Sequence, residues 1–282
     1  MTTDSSNSLY DSNDYYKGNR SGSRLSPILD GLLFLFEWER YFAIRRLIGG
    51  LRKVHDKKVL DVGAGDGKFL HMMRKLGLMP FGTTASSRSA AAANVLHGIK
   101  LDVSESLTEV AKNGPFKLVT YWHVYEHLAA PSEHEQLWRT VLEKDGLLVI
   151  EVPNIESYGS KICFNSWLGS DQIHHINHQV PNEILQRIKN AGLTPFRTSY
   201  FSAKFSFVFL WSALLGWLFP KLYTFDSIME TLKNPFDRLR RQPVLTLNTI
   251  CSIIYLSPIV VFLMLAGVVK QRGEVVRIYA RK

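Results

Sequence analysis

Hydrophobic and polar positions alternate in two regimes along this chain. Up to about residue 202, short apolar runs are separated by stretches of helical period. Val59-Leu60-Asp61-Val62, Pro80 to Thr84, Phe116 to Tyr121 and Gly146 to Val152 read as strands. Between them, Lys68 to Leu76, the alanine-rich Ser89 to Leu96 and Glu133 to Leu142 repeat at helical spacing. Asn182 to Ala191 is a further helix, with Asn182 as N-cap and Gly192 just past its end. A short strand is expected at Ile99–Leu101 and a helix or loop over Ser104 to Lys112. Strands alternating with helices predict an α/β class, a doubly wound and mostly parallel sheet covered on both faces.

The flanks differ. Residues 1–24 are rich in Ser, Asn, Asp and Gly and predict a mobile arm, with Tyr10, Tyr15 and Tyr16 as its exceptions. Residues 25–56 predict a helix and possible lid, capped by Ser26 with Pro27 at the first position and ending near Gly49-Gly50. Its apolar face includes Leu29, Phe36, Tyr41, Ile44 and Leu47. The main domain is expected over 57–202 and 273–282. Residues 203–272 form an apolar helical insertion: Phe205 to Phe219, an amphipathic basic connector from Lys221 to Thr246, then Ile250 to Val269 without a charge. Glu274 to Ala280 alternates like a strand.

Composition adds bounds. With 46% hydrophobic and 21% charged residues among 282, wholesale disorder is excluded. A net charge of +9 points to anionic partners such as membrane headgroups, nucleic acid or acidic substrates. Only Cys163 and Cys251 occur, so no disulfide framework is readable and a reducing compartment fits. The polar first 24 residues lack an apolar h-region, which predicts no signal peptide.

Candidate chemistry centres on Asp61-Val62-Gly63-Ala64-Gly65-Asp66-Gly67, where a strand breaks into three alternating glycines before a helix. Glycine admits a left-handed backbone and close ligand approach, and a helix N-terminus presents free N–H groups. The spacing is G-x-G-x-G, whereas a dinucleotide turn reads G-x-G-x-x-G with an acid about 20 residues on. A phosphate loop would need a G-K-[ST] ending, which is missing.

This stretch resembles the first motif of class I S-adenosylmethionine-dependent methyltransferases. Phe116 to Leu128, with its W-H-V-x-E-H-L ending, resembles the fourth-strand motif, and Gly146 to Asn154 the next strand. Asp171 to His178, followed by a helix and Ala191-Gly192-Leu193, resembles the substrate-side segment. The branch is similar to bacterial methyltransferases of the ubiquinone pathway and of envelope glycan or lipid modification. The resemblance implies a Rossmann-like sheet with an antiparallel last strand beside a strand near Phe196–Phe201. It also implies S-adenosyl-L-methionine as cofactor. Gly63, Gly65 and Gly67 would lie against its methionyl part, and Asp61 would hold the ammonium. Thr84 stands where the family places an acid for the ribose. Asp102 would meet the adenine amino group, with Glu105 as an alternative register, and Tyr121 and Trp122 join the cofactor set at the end of the fourth strand.

Methyl transfer is an in-line displacement, for which positioning supplies about 7–11 kcal/mol and a general base roughly 10²–10⁴ in rate. His123, at the strand's carboxyl end, is the first candidate base or substrate contact, with His174 and His178 as further candidates. His174, His175 and His178 lack an accompanying Cys or Glu motif, and no metal is assigned. Glu126 and His127 are expected to brace one another or cap the next helix.

The acceptor is expected to be lipid-linked or membrane-resident, methylated on oxygen. Alternatives are a soluble metabolite or sugar as acceptor, and a cofactor-binding scaffold without catalysis. Nucleic acid is disfavoured, because the Asp/Asn-Pro-Pro-aromatic pattern is missing after the fourth strand. Both ends of the insertion must return to one sheet, so a monotopic attachment is expected on the cytoplasmic face of a membrane. Both apolar segments would dip into one leaflet, bent at Pro258, with the basic connector on anionic headgroups; the alternative is that these helices pack on each other or form a dimer face.

Overall fold

The computed structural model describes residues 38–48, 56–171, 174–177 and 180–282. The expected arm, the Ser26 cap and His178 lie outside the described residues. Seven strands form one sheet: β1 (Lys58–Val62), β2 (Met79–Thr84), β3 (Asp102–Val103), β4 (Phe116–Trp122), β5 (Leu142–Pro153), β6 (Thr194–Ser199) and β7 (Val275–Arg281). Their order is β3-β2-β1-β4-β5-β7-β6, and β7 runs antiparallel to both neighbours while the other pairs are parallel. Leu60 pairs with Phe81 on one side and Val119 on the other, so the order reverses at β1/β4. A crevice opens at such a reversal, outside the strands' carboxyl ends.

Side-chain alternation explains the layers. Leu60, Val119, Tyr121, Ile150 and Ile278 point to the face covered by α5 (Pro131–Val141) and α7 (Pro181–Asn190). Val59, Leu118, Val149 and Tyr279 point to the other, against α2 (Lys68–Lys75) and Ile44 of the helix α1 at 38–47. The helices α3 (Ser87–His97) and α4 (Thr108–Ala111) complete the first half.

Two local expectations shift. The third strand is Asp102–Val103 and not Ile99–Leu101, because left-handed Gly98 closes α3 and the Ile99 N–H is spent on the Ala93 carbonyl. At the start of α7, Val180 takes the cap position and Pro181 the first turn, ahead of Asn182.

The insertion between β6 and β7 builds its own core from α8 (Ala203–Leu218), α9 (Phe225–Lys233), α10 (Pro235–Arg241) and α11 (Pro243–Val269), packed on α6 (Tyr158–Ile162) and the loop after it. The Phe205–Phe219 stretch packs into the centre of this body through buried Leu210, Trp211 and Leu215, and leaves Trp217, Leu218 and Phe219 exposed at its end. The serines inside the apolar runs cross-link it. Ser212 Oγ accepts the Leu168 N–H at 3.0 Å, and Trp211 Nε1 donates to Ser252 Oγ at 2.9 Å. α11 is one continuous 27-residue helix through Pro258, about 40 Å long, so the expected re-entrant shape is not made by breaking the helix there. Pro258 removes one N–H from the ladder, and the neighbouring Ser257 hydroxyl donates to the Ile253 carbonyl. Ile254, Phe262 and Val269 leave α11 exposed at 76%, 67% and 79%.

Candidate active site

Gly63, Gly65 and Gly67 adopt φ of 70°, 56° and 75°, the left-handed region that side chains disfavour. They are not equivalent. A Cβ on Gly63 would stand 2.4 Å from Val124 Cγ2, so this turn lies directly under the β4 exit. A Cβ on Gly67 would meet Ala93 Cβ at 2.9 Å, which makes Gly67 the packing point between α2 and α3. A Cβ on Gly65 would meet nothing within 4 Å, so that position faces open space. Asp61 is buried beneath the turn, where Thr120 Oγ1 donates to its Oδ1 at 2.6 Å.

A cavity over the ends of β1, β2 and β4 is lined by Val62, Gly63, Thr83, Thr84, Ser104, Glu105, Trp122, His123, Val124, His127 and His174. Thr84 is there, its Oγ1 accepting the Ser86 N–H at 3.3 Å. Asp102 is not: it sits exposed in β3, and Glu105, two residues into the following loop, lines the cavity in its place. Tyr121 is not there either. The pleat turns it to the opposite face, where its hydroxyl meets His134 Nδ1 at 3.1 Å and accepts from Trp138 Nε1 at 3.0 Å. Burial pushes the Tyr121 phenol above its ordinary range. Trp122 does line the cavity, and its Nε1 is buried with no hydrogen-bond partner among the described residues.

His123 leaves β4 at φ 55°, an uncommon conformation for a non-glycine residue. Its Nε2 lies 3.2 Å from Glu151 Oε1 and its Nδ1 3.4 Å from Glu126 Oε1. Burial alone would lower its pKa, but the hydrogen bonds and charges of Glu126 and Glu151 raise it. Both ring nitrogens of His123 face carboxylates, and its ring centroid lies 3.9 Å from that of Phe205.

Glu151 anchors a network that the sequence reading did not single out. It is fully buried in β5, accepts from Arg277 Nε at 2.6 Å and from Arg40 Nη2 at 2.9 Å, and Arg277 in turn donates to Glu39. Desolvation opposes its charge, but Arg277 and Arg40 hold the carboxyl well below the usual range. Arg40 also lies 4.7 Å over the Trp122 ring, so the network fastens α1 across the crevice. The available signal was a carboxylate inside the apolar run Leu147 to Val152.

A second cavity, about 430 Å³, lies between the crevice and the insertion. His123, His127, Asp171 and His175 form its polar wall, Phe205, Val208, Phe209, Phe225 and Met229 its apolar wall, and Lys204 and Lys233 also line it. His123 and His127 belong to both cavities. His174 Nδ1 lies 2.8 Å from Asp171 Oδ1, a pairing that sets Nε2 as the opposite ring nitrogen. The Asp171–Asn177 segment is held to the β4 exit by Asn177, whose N–H donates to the Glu126 carbonyl at 3.1 Å and whose Nδ2 donates to that of Leu128 at 2.6 Å. Burial lowers His175 to about 4.

The sheet order, the reversed seventh strand and the glycine turn at the β1/β4 crevice together define a class I S-adenosylmethionine-dependent methyltransferase. A family model for the methyltransferase domain matches residues 28–197, and the chain belongs to that family. It is 26% identical over 170 residues to the ubiquinone biosynthesis O-methyltransferase of Roseobacter denitrificans, covering 56% of this chain and 66% of that protein. The enzyme of the same name from Cereibacter sphaeroides is 28% identical over 150 residues, 49% of this chain and 60% of its own. The chain therefore spans two thirds or less of the curated relatives it matches. Among solved structures, a methyltransferase from Galdieria sulphuraria has a TM-score of 0.56 at 18% identity, over 94% of this chain and 91% of that one. The Haemonchus contortus phosphoethanolamine N-methyltransferase 2, in complex with S-adenosyl-L-methionine, has a TM-score of 0.52 at 14% identity, over 87% of this chain and 52% of that one. Likeness at these identities shows the fold.

Proposed function

We propose that this chain transfers a methyl group from S-adenosylmethionine to a hydroxyl oxygen of a lipid-linked or membrane-resident acceptor. The observation that carries this reading is the pair of cavities meeting at His123 and His127, one over the glycine turn and the other walled by the apolar insertion. The names of the curated relatives, O-methyltransferases of ubiquinone biosynthesis, favour oxygen over nitrogen or carbon.

The residues present fit the cofactor. The open face of Gly65 leaves room against the backbone, and the unpartnered indole N–H of Trp122 is a donor awaiting an acceptor. Gly63 and Gly65 would take the methionyl part, and Thr84 and Glu105 the ribose and adenine edge. Glu105 supplies the acid that Thr84 lacks, which argues against a scaffold without catalysis. Bound there, S-adenosylmethionine supplies an electrophilic methyl group. The chain's part is to align the acceptor oxygen, exclude water and receive a proton. The Asp171–His174 pair would serve the last of these: with Nδ1 turned to Asp171 at 2.8 Å, Nε2 would accept the hydroxyl proton. Phe205, Phe209 and Met229 would hold the acceptor's apolar body.

Membrane attachment would be monotopic, through residues 203–272. Among the described residues, Pro243–Val269 is long and apolar enough to cross a membrane by length and composition. Its outer face is exposed, and its return to β7 favours lying along one leaflet at the cytoplasmic surface. Exposed Lys221, Arg240 and Arg241 would meet anionic headgroups. Mass profiling of lipids and glycolipids from cells with and without the gene tests the acceptor. A species lighter by one methylene is expected in the deletion strain, and an unchanged lipid profile beside a changed soluble metabolite would move the acceptor off the membrane.

A further inference from the structure

We propose that Lys204 and Lys233 bind an anionic group, a phosphate ester or a carboxylate, on the acceptor held in the larger cavity. The acceptor is then an acidic amphiphile, an assignment that rests on the methyl-transfer reading. Each lysine is the one basic residue of its helix: Lys204 in the first turn of α8, which has no other charge, and Lys233 at the last position of α9. Both line the cavity and both are half-buried.

Helical phase brings them there. On α8, Lys204 and Phe205 stand one turn before Val208 and Phe209, and these four line the cavity. On α9, Phe225, Met229, Leu232 and Lys233 line it at i, i+4, i+7 and i+8, again one face. Each apolar face thus carries one ammonium group at its end. By contrast, Lys221, Arg240 and Arg241 of the same insertion are exposed and lie outside the cavity lining. Lys204 Nζ is 5.0 Å from the centre of the Phe205 ring, whose centroid is 3.9 Å from that of His123. One aromatic ring therefore separates this ammonium from the histidine that belongs to both cavities.

The charges around the cavity favour an anion. Asp171 is the one carboxylate among its lining residues, and it lies 2.8 Å from His174 Nδ1. Glu230, one turn before Lys233 on α9, accepts from Arg238 and, at 2.7 Å, from Arg241. Lining an apolar wall with ammonium groups costs desolvation for a neutral guest, and the same groups attract an anionic one. An ammonium has three N–H donors, so each lysine can keep a protein partner and still meet a ligand oxygen. Two point charges, without the planar fork of an arginine, suit tetrahedral phosphate and planar carboxylate alike.

The test uses full-length protein with S-adenosylhomocysteine and three ten-carbon probes below their micelle concentrations: decyl phosphate, decanoate and decanol. Calorimetry is expected to show one anion per chain, bound at least tenfold tighter than decanol and weakening as salt is added. Whichever anion binds tighter names the group that the acceptor carries. Lys204→Met and Lys233→Met keep an apolar stem and remove the charge. Each is expected to weaken anion binding about tenfold and to leave decanol unchanged. Lys270→Met, at the exposed end of α11 and outside the cavity lining, is expected to change neither. Decanol bound as tightly as both anions would overturn the proposal, as would anion affinity that persists in both folded lysine variants or falls equally in Lys270→Met. If one lysine variant does not fold, the other and the wild-type ranking of the probes decide. Anion-selective binding by a chain that takes no S-adenosylhomocysteine would refute the methyl-transfer reading and leave the lysine site standing.

Discussion

Glu274 stands at the entrance to β7, where the insertion returns to the sheet, and its ionisation should set how firmly the two parts hold together. Its carboxylate is buried and accepts three hydrogen bonds: Gly159 N–H at 2.8 Å, Ser157 Oγ at 3.0 Å and Trp167 Nε1 at 2.6 Å. Burial pushes its pKa up and the three donors pull it down; burial wins, at about 7 against an ordinary 4.5. That displacement corresponds to about 3 kcal/mol. The folded chain therefore keeps a proton that the unfolded chain has lost between pH 4.5 and 7. The group's stabilisation is complete below 4.5 and disappears as pH rises through 7. Glu274→Gln removes the titration. The amide offers one acceptor oxygen to three donors, so the variant carries a pH-independent penalty of about 1–3 kcal/mol. Urea unfolding at fixed detergent, read by tryptophan fluorescence at pH 5, 6, 7 and 8, measures both. Wild type should lose about 2.5 kcal/mol relative to the variant between pH 5 and 8. A wild-type-minus-variant difference that stays constant over this range would show Glu274 charged throughout and refute the reasoning.

Four further outcomes are expected. Gly63→Ala, whose Cβ would lie 2.4 Å from Val124 Cγ2, should destabilise the fold well beyond Gly65→Ala. The latter meets nothing within 4 Å and costs only a left-handed backbone, about 1 kcal/mol; equal urea midpoints would contradict this. Glu105→Gln should weaken S-adenosylmethionine binding about tenfold by calorimetry, the loss of one charge-assisted hydrogen bond, whereas unchanged affinity would return ribose recognition to Thr84. Asp171→Asn should lower kcat by roughly 10²-fold at unchanged cofactor affinity; an unchanged kcat with the true acceptor would remove the Asp171–His174 pair from proton transfer. Replacing exposed Ile254 and Phe262 together by Glu should release the protein from anionic vesicles while its circular dichroism is preserved, and retained sedimentation with vesicles would place the contact elsewhere.

Sheet, turn and cofactor class were legible in the chain, because local signals carried them. Apolar runs at strand period, bounded by glycine and proline, located β1, β2, β4 and β5. The G-x-G-x-G spacing separated this turn from dinucleotide and phosphate loops, since glycine is required wherever the backbone turns left-handed. What composition and period left undetermined were the long-range choices. Thr84 looked like a gap in ribose recognition, and Glu105, offered by the sequence only as an alternative register for the adenine contact, lines the same cavity from the loop after β3. Tyr121 and Trp122 are adjacent in sequence, and the pleat sends one to each face. Phe205–Phe219 and Ile250–Val269 look alike as apolar strings, yet the first is covered along most of its length and the second presents an open face, because tertiary packing and not hydropathy selects which surface is covered. The histidines show the same division. The chain supplied their number and rough neighbourhood. Only the fold put His123 between Glu126 and Glu151, His174 on Asp171, and His127 and His175 together beside one buried carboxylate. The His123–Glu151 and Glu126–His175 contacts join residues tens of positions apart, so their chemistry depended on distances that the tertiary structure alone decides.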